Sequence, residues 1–171
     1  MKPPLLLLCG PPFSGKSTLA ARLRDAWRFQ VVSLDEINLR RGLRGGSGLR
    51  DEEWARTAAL ARDEARALLG NPGSRVVVDD TFCFRFLRED FRRLATEVSR
   101  TSRLVVLGTP IEEIRWRIAE NARRSGRTGI NAAVLERHLE RFEWPGEDEP
   151  HRVIHDVAAL DAWLDDEAVG W

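Results

Sequence analysis

The sequence predicts an α/β domain built on a parallel sheet with helices on both faces, and three observations predict it. Apolar runs of strand length recur along the chain, amphipathic stretches of helical length separate them, and 171 residues with 43% hydrophobic composition suit one globular domain. Strands that alternate with helices must run parallel, because each helix carries the chain back to the same end of the sheet.

The elements follow in order. Leu5–Cys9 is an apolar run after Lys2 that stops at Gly10-Pro11-Pro12. It is too short for a signal-peptide core or a membrane span, so it reads as a buried strand of a cytoplasmic protein. Further strand candidates are Gln30–Leu34, Arg75–Val78, Arg103–Leu107 and Val153–His155. Helix candidates are Gly15–Trp27, Glu52–Leu69, Leu87–Ser99, Ile111–Arg124, Ala132–Phe142 and Ala158–Glu167. Two glycine-bearing segments, Arg41–Gly48 and Arg124–Gly129, break the periodicity and read as mobile loops, either binding lids or plain connections.

Charge bounds the partners. The 27 basic and 27 acidic residues cancel, so no global field draws the chain to nucleic acid or an anionic membrane. Locally, Arg115, Arg117, Arg123, Arg124 and Arg127 cluster, while the tail from Asp156 onward is acidic. That pattern suggests a local anion site rather than a nucleic-acid-coating surface. Only Lys2 and Lys16 are lysines, which makes the internal one conspicuous. Cys9 and Cys83 lack metal spacing and read as reduced core residues.

Gly10-Pro11-Pro12-Phe13-Ser14-Gly15-Lys16-Ser17 matches G-x-x-x-x-G-K-[ST] in full, between a strand and a helix that begins Thr18-Leu19. Glycines let the backbone curl so that its N–H groups face phosphate oxygens, and the helix N-terminus adds partial positive charge. Gly10, Pro11, Phe13, Ser14, Gly15, Lys16, Ser17 and Thr18 are therefore the nucleotide-binding candidates, for ATP. Lys16 would reach the β- and γ-phosphates and Ser17 would ligate Mg²⁺.

Ligands of open α/β sheets lie at the strands' carboxyl ends, so acidic residues there are candidates too. Asp35 follows the second strand and could take the proton of an attacking hydroxyl as general base; the alternative is a cap on a helix over Glu36–Arg41. Asp79 and Asp80 follow the third and could hold Mg²⁺, or form a cap or turn. Arg40 and Arg41 could grip an acceptor that itself carries a phosphate or carboxylate. Phe82, Phe84 and Phe86 could stack on a base or sugar, or pack beneath the following helix. In the arginine cluster Arg123, Arg124 and Arg127 straddle Ser125-Gly126, where a closing lid would neutralise transition-state charge; the alternative is a solvated helix end.

Taken together, the phosphate loop, Ser33-Leu34-Asp35, Val77-Val78-Asp79-Asp80-Thr81, Asn121-Ala122-Arg123-Arg124 and Phe142-Glu143-Trp144-Pro145 with its acidic run resemble the small P-loop kinases. The resemblance spans roughly Leu5 to Pro150. It is nearest to 5′-hydroxyl polynucleotide kinase domains and the AAA-type kinases grouped with them. Zeta-toxin, chloramphenicol phosphotransferase and gluconate kinase proteins stand further off. The resemblance implies a three-layer P-loop NTPase sandwich with a five-stranded parallel sheet of order 2-3-1-4-5 and a helical lid at about 115–142. It also implies ATP and Mg²⁺ on Lys16 and Ser17, Asp35 as base and Arg124 as catalytic lid arginine. Alongside these, Arg123 and Arg127 are candidates on the nucleotide, and Asp35, Arg40, Arg41, Thr81 and Phe84 on the acceptor side. Two positions depart from the polynucleotide kinase pattern: Asp79-Asp80-Thr81 stands for Asp-Asn-Thr, and Glu120-Asn121-x-x-Arg124 for Arg-Asn-x-x-Arg.

The function expected is transfer of the ATP γ-phosphate to an acceptor hydroxyl, at a nucleic-acid 5′ end or on a small metabolite or antibiotic. A nucleotide-dependent ATPase or switch module is the reading from another class. Acceptor identity and oligomeric state are not encoded in any motif of the chain.

Overall fold

A computed structural model of the chain describes residues 2–43, 49–123 and 132–166. Twelve elements follow one another: β1 (Leu5–Cys9), α1 (Lys16–Trp27), β2 (Gln30–Ser33), α2 (Leu34–Arg40), α3 (Asp51–Leu69), β3 (Val76–Asp79), α4 (Arg85–Glu97), β4 (Ser102–Leu107), α5 (Ile111–Arg123), α6 (Ala132–Glu140), β5 (His151–Ile154) and α7 (Val157–Asp165). The sheet has five parallel strands in the order β2-β3-β1-β4-β5, the P-loop NTPase arrangement expected from the sequence.

The period of two along β1 builds both halves of the core. Leu5, Leu7 and Cys9 face α3 and α4, meeting Ala61, Ala65 and Leu94. Leu6 and Leu8 face the other way, onto Leu19 and Leu23 of α1 and Leu160 and Leu164 of α7. All four leucines are fully buried, each stabilising the fold by roughly 1.5–3 kcal/mol before entropy is counted. A continuous apolar run is what a central strand covered on both faces requires.

A third, smaller cluster joins Ile114 and Ile118 of α5, Leu135 of α6 and Phe13 of the phosphate loop. It seats α5 and α6 above the site end of the sheet. The expected lid at about 115–142 includes α5 and α6, but Arg124 and Arg127 lie outside the described residues, as does 44–48 of the glycine-rich loop. Among the described residues, no helix is long and apolar enough to cross a membrane.

Helix α2 corrects one expectation. Ser33, with extended backbone (φ −109°, ψ 124°), caps it and accepts the Glu36 N–H at 3.4 Å. Asp35 is therefore not the cap; it stands inside the first turn, exposed, beyond the end of β2.

Candidate active site

Parallel pairing puts the functional segments level with one another. Leu8 of β1, Asp79 of β3 and Ser33 of β2 share a register row. Gly10 and Asp35 each follow that row by two residues, so phosphate loop, Asp79 and Asp35 emerge side by side across about 10 Å of sheet.

The loop after β1 has the backbone its glycines allow. Gly10 has φ 156°, and a Cβ there would meet Ser14 Oγ at 2.9 Å and Leu107 Cβ at 3.1 Å. Gly15 has φ 102° and offers no side chain as N-cap of α1. The first-turn N–H groups of Lys16, Ser17 and Thr18 thus lack both intrahelical and capping partners, which is the arrangement that receives an anion. Phe13 is held at φ 63°, a conformation that costs of order 1–3 kcal/mol in a residue with a Cβ.

Neighbouring elements hold that strain in place. Arg117 of α5 donates to the Phe13 carbonyl at 3.0 Å, and Thr109 Oγ1 to the Ser14 carbonyl at 2.6 Å. The Gly10 N–H donates to the Thr81 carbonyl at 3.1 Å, tying the loop to the end of β3. Neither Arg117 nor Thr109 stands out in the sequence as a support of the phosphate loop. Ser14 Oγ is buried within the loop without a partner, a free donor for an oxygen held there.

Lys16 is 8% exposed and its Nζ donates to the carbonyls of Gly10 and Pro11, both at 2.8 Å. Burial lowers its pKa, opposed by the carboxylates of Asp79, Asp80 and Asp35. Burial in turn raises Asp79, which Lys16 and the Ser17 hydroxyl pull back down. The two aspartates after β3 separate in role. Asp79 faces Ser17, whereas Asp80 Oδ2 accepts the Phe82 N–H at 3.1 Å and closes a turn. Ser17 and Asp79 form the hard-oxygen pair that suits Mg²⁺ beside phosphate oxygens. Among the described residues no three His, Cys, Asp or Glu side chains converge as a metal cage.

The acceptor-side arginines are committed elsewhere. Arg40 Nη2 lies 2.5 Å from Glu64, and Arg41 binds Glu53 and the Thr57 hydroxyl, bracketing α2 to α3. The basic cluster is also paired: Arg115 with Glu136, Arg117 with Glu113, and Arg123 with Glu120. Arg123 is 75% exposed at the side chain, in solvent rather than in the loop.

Phe82, Phe84 and Phe86 divide. Phe82, with φ 47°, is buried edge-on against Phe91 of α4. Phe84 stacks on the exposed Phe86 at 5.7 Å and carries Arg141 over its ring at 5.4 Å. Thr81 holds the Cys83 thiol, and Cys83 and Cys9 are both free, burial pushing Cys9 up to about 12. A surface cavity of about 330 Å³ lies at the amino ends of β4 and β5, between Arg103, His151 and Trp163. It is at the wrong end of the sheet for this chemistry.

With loop, lysine and carboxylates so placed, comparison with known proteins is decisive at the level of family. The AAA domain family matches residues 5–145. The chain belongs to that family. It is 31% identical over 149 residues to an adenylate kinase of Xanthomonas campestris pv. campestris, across 80% of this chain and 78% of the relative. Among solved structures, a kinase of Chloroflexus aurantiacus described as putative superposes with TM-score 0.71 at 20% identity, covering 96% of this chain and 97% of that one. A Mycobacterium tuberculosis APS kinase in complex with AMPPNP and APS superposes with TM-score 0.68 at 16% identity, covering 95% and 96%. This AAA domain chain has a kinase-like P-loop fold, and the relative and the two solved structures named above are described as kinases.

Proposed function

We propose that the protein is an ATP-dependent phosphotransferase that moves the γ-phosphate to an acceptor hydroxyl. The observation that carries this is the sign of the charge around the transfer point. Asp35, Asp79 and Asp80 all act electrostatically on Lys16, and Glu36 acts on Asp79. The nearby Arg40 and Arg41 are tied to Glu64 and Glu53. At the point of attack such a field repels a phosphate oxygen as the nucleophile, which needs no base, and favours a neutral hydroxyl, which does.

In this reading the loop N–H groups and Lys16 hold the β- and γ-phosphates. Asp35 accepts the hydroxyl proton as the oxygen attacks. Ser17 and Asp79 hold Mg²⁺, which when bound neutralises charge on the phosphates. The Asp80 carboxylate, accepting the Phe82 N–H, and the Gly10–Thr81 backbone bond keep the base of the site rigid.

The test is labelled-phosphate transfer from ATP across 5′-hydroxyl DNA and RNA, nucleosides, sugars and aminoglycosides, with AMP as the phosphate-acceptor control and Lys16→Ala as blank. Transfer to a hydroxyl compound well above AMP is the expected result. Strong transfer to AMP alone, or ATP hydrolysis indifferent to every acceptor, overturns it.

A further inference from the structure

Helix α6 brings a histidine to the site that no motif explains. Leu135 packs with Phe13 of the phosphate loop, and Leu139 joins the same cluster. His138, one turn on from Leu135, shares that inward face. Its ring meets Phe142 edge-on at 5.6 Å, and its Nε2 is buried with no hydrogen-bond partner in the described structure. An orphaned polar atom of this kind costs about 1–3 kcal/mol, so its retention asks for a role. Burial pushes the imidazole down to about 4, helped by Lys16 on the loop side and Arg141 on its own helix side. It is therefore an uncharged ring at neutral pH, able to make one more hydrogen bond.

Arg141 continues the same wall. It lies over Phe84, just past the Asp79–Thr81 strand end, and makes no ion pair among the described residues. The other arginines of this region, Arg40, Arg41, Arg85 and Arg88, are each held by a carboxylate. Lys16 and Arg141 both act electrostatically on His138, and Arg141 lies over Phe84, so these side chains share one neighbourhood.

We propose that His138 and Arg141 form the acceptor-recognition wall of the transfer site, His138 Nε2 hydrogen-bonding the acceptor and Arg141 pairing with an anionic group on it. The inference rests on the phosphotransfer reading and narrows it to hydroxyl compounds that also carry a carboxylate or phosphate. Arg141, not Arg40 or Arg41, is the cation that selects them.

The experiment uses matched probes: glucose against gluconate, and adenosine against adenosine 3′-monophosphate. Wild type is expected to favour the anionic member of at least one pair by tenfold or more in kcat/KM. Arg141→Met should erase that preference. His138→Phe should raise the acceptor KM about tenfold or more while the ATP KM stays within about twofold, and His138→Gln should recover part of the loss. With only three histidines in the chain, ¹⁵N-histidine spectra give a second readout. The His138 Nε2 signal should move on addition of the favoured probe and hold still with AMPPNP and Mg²⁺ alone. Preference for the neutral members, or unchanged acceptor KM in both variants, overturns the proposal while leaving phosphotransfer intact. A wild type that labels no hydroxyl compound fells the phosphotransfer reading and this one with it.

Discussion

Asp35 shows how far a single residue could be read. Its place just past the second apolar run marked it as a candidate base, and the register of β2 with β3 brings it level with the phosphate loop. The rival role as helix cap belongs instead to Ser33, two positions earlier, because a half-buried serine hydroxyl at the strand end reaches the Glu36 N–H first. Asp35→Asn therefore leaves α2 capped and removes only a carboxylate. The expected outcome is a kcat lowered by roughly 10²–10⁴ with nucleotide affinity unchanged, checked by steady-state transfer and by titration with AMPPNP. A kcat within a few-fold of wild type would move the base elsewhere, with Glu36 next. At the same scale the ion pairs of Arg40 and Arg41 could not be read. Their partners Glu64 and Glu53 lie 24 and 12 residues away on α3, and only the α2–α3 packing shows the charges to be already engaged.

At the scale of elements, the strands and helices were legible because apolar period and length fix them locally; β1 matches its expected bounds, and the other ends move by a residue or two. The strut that positions the turn after β3 was not legible. Arg88, fully buried on α4, donates to Glu149 through Nε at 2.9 Å and Nη2 at 2.5 Å, and to the Phe82 carbonyl at 2.7 Å. Arg92 adds a third bond to Glu149 at 2.6 Å. Arg88 and Glu149 are 61 positions apart, and nothing in either one's neighbourhood names the other. The strut holds Phe82 in its left-handed conformation, and Phe82 N–H holds Asp80.

The hydrogen bonds from Arg88 bring Glu149 from its ordinary 4.5 down to about 2. That depression corresponds to on the order of 3 kcal/mol of stability. Because the folded value is the lower one, the contribution is fully present above about pH 4.5 and is lost as pH falls through about 2. Glu149→Gln should cost roughly 3–5 kcal/mol in urea unfolding at pH 7, since Arg88 is left buried without its counter-charge. The gap to wild type should narrow between pH 4.5 and 2. An equal gap at pH 7 and pH 2.5 would mean that packing, not charge, accounts for the loss.

For the whole molecule, the alternation of runs gave a parallel sheet but not its order. Order depends on which strands pair, and that came only through the family resemblance; the structure has β2-β3-β1-β4-β5. This order matters for function because it flanks the phosphate loop with β3 on one side and β4 on the other, so a nucleotide bound there bridges half the sheet. Binding to the folded chain alone should then raise the stability of the entire fold by mass action. At 100 times Kd the gain is about 2.7 kcal/mol, and a chain of this size shifts by about 2–4 °C per kcal/mol, so AMPPNP with Mg²⁺ should raise Tm by roughly 5–11 °C. Chelating Mg²⁺ should shrink that shift if, as proposed, Ser17 and Asp79 share the cation with the phosphates. Asp35→Asn should keep the shift, because the role proposed for its carboxylate is on the acceptor side. Lys16→Ala should lose most of the shift, and transfer by on the order of 10²–10³ or more, because it removes the ammonium on which the carboxylates of Asp79, Asp80 and Asp35 act at the loop. Each variant is compared with its own melting temperature without nucleotide, so that any change in the stability of the empty fold drops out. A full shift in Lys16→Ala, or none in wild type, would remove the nucleotide from this loop and the proposed transfer with it.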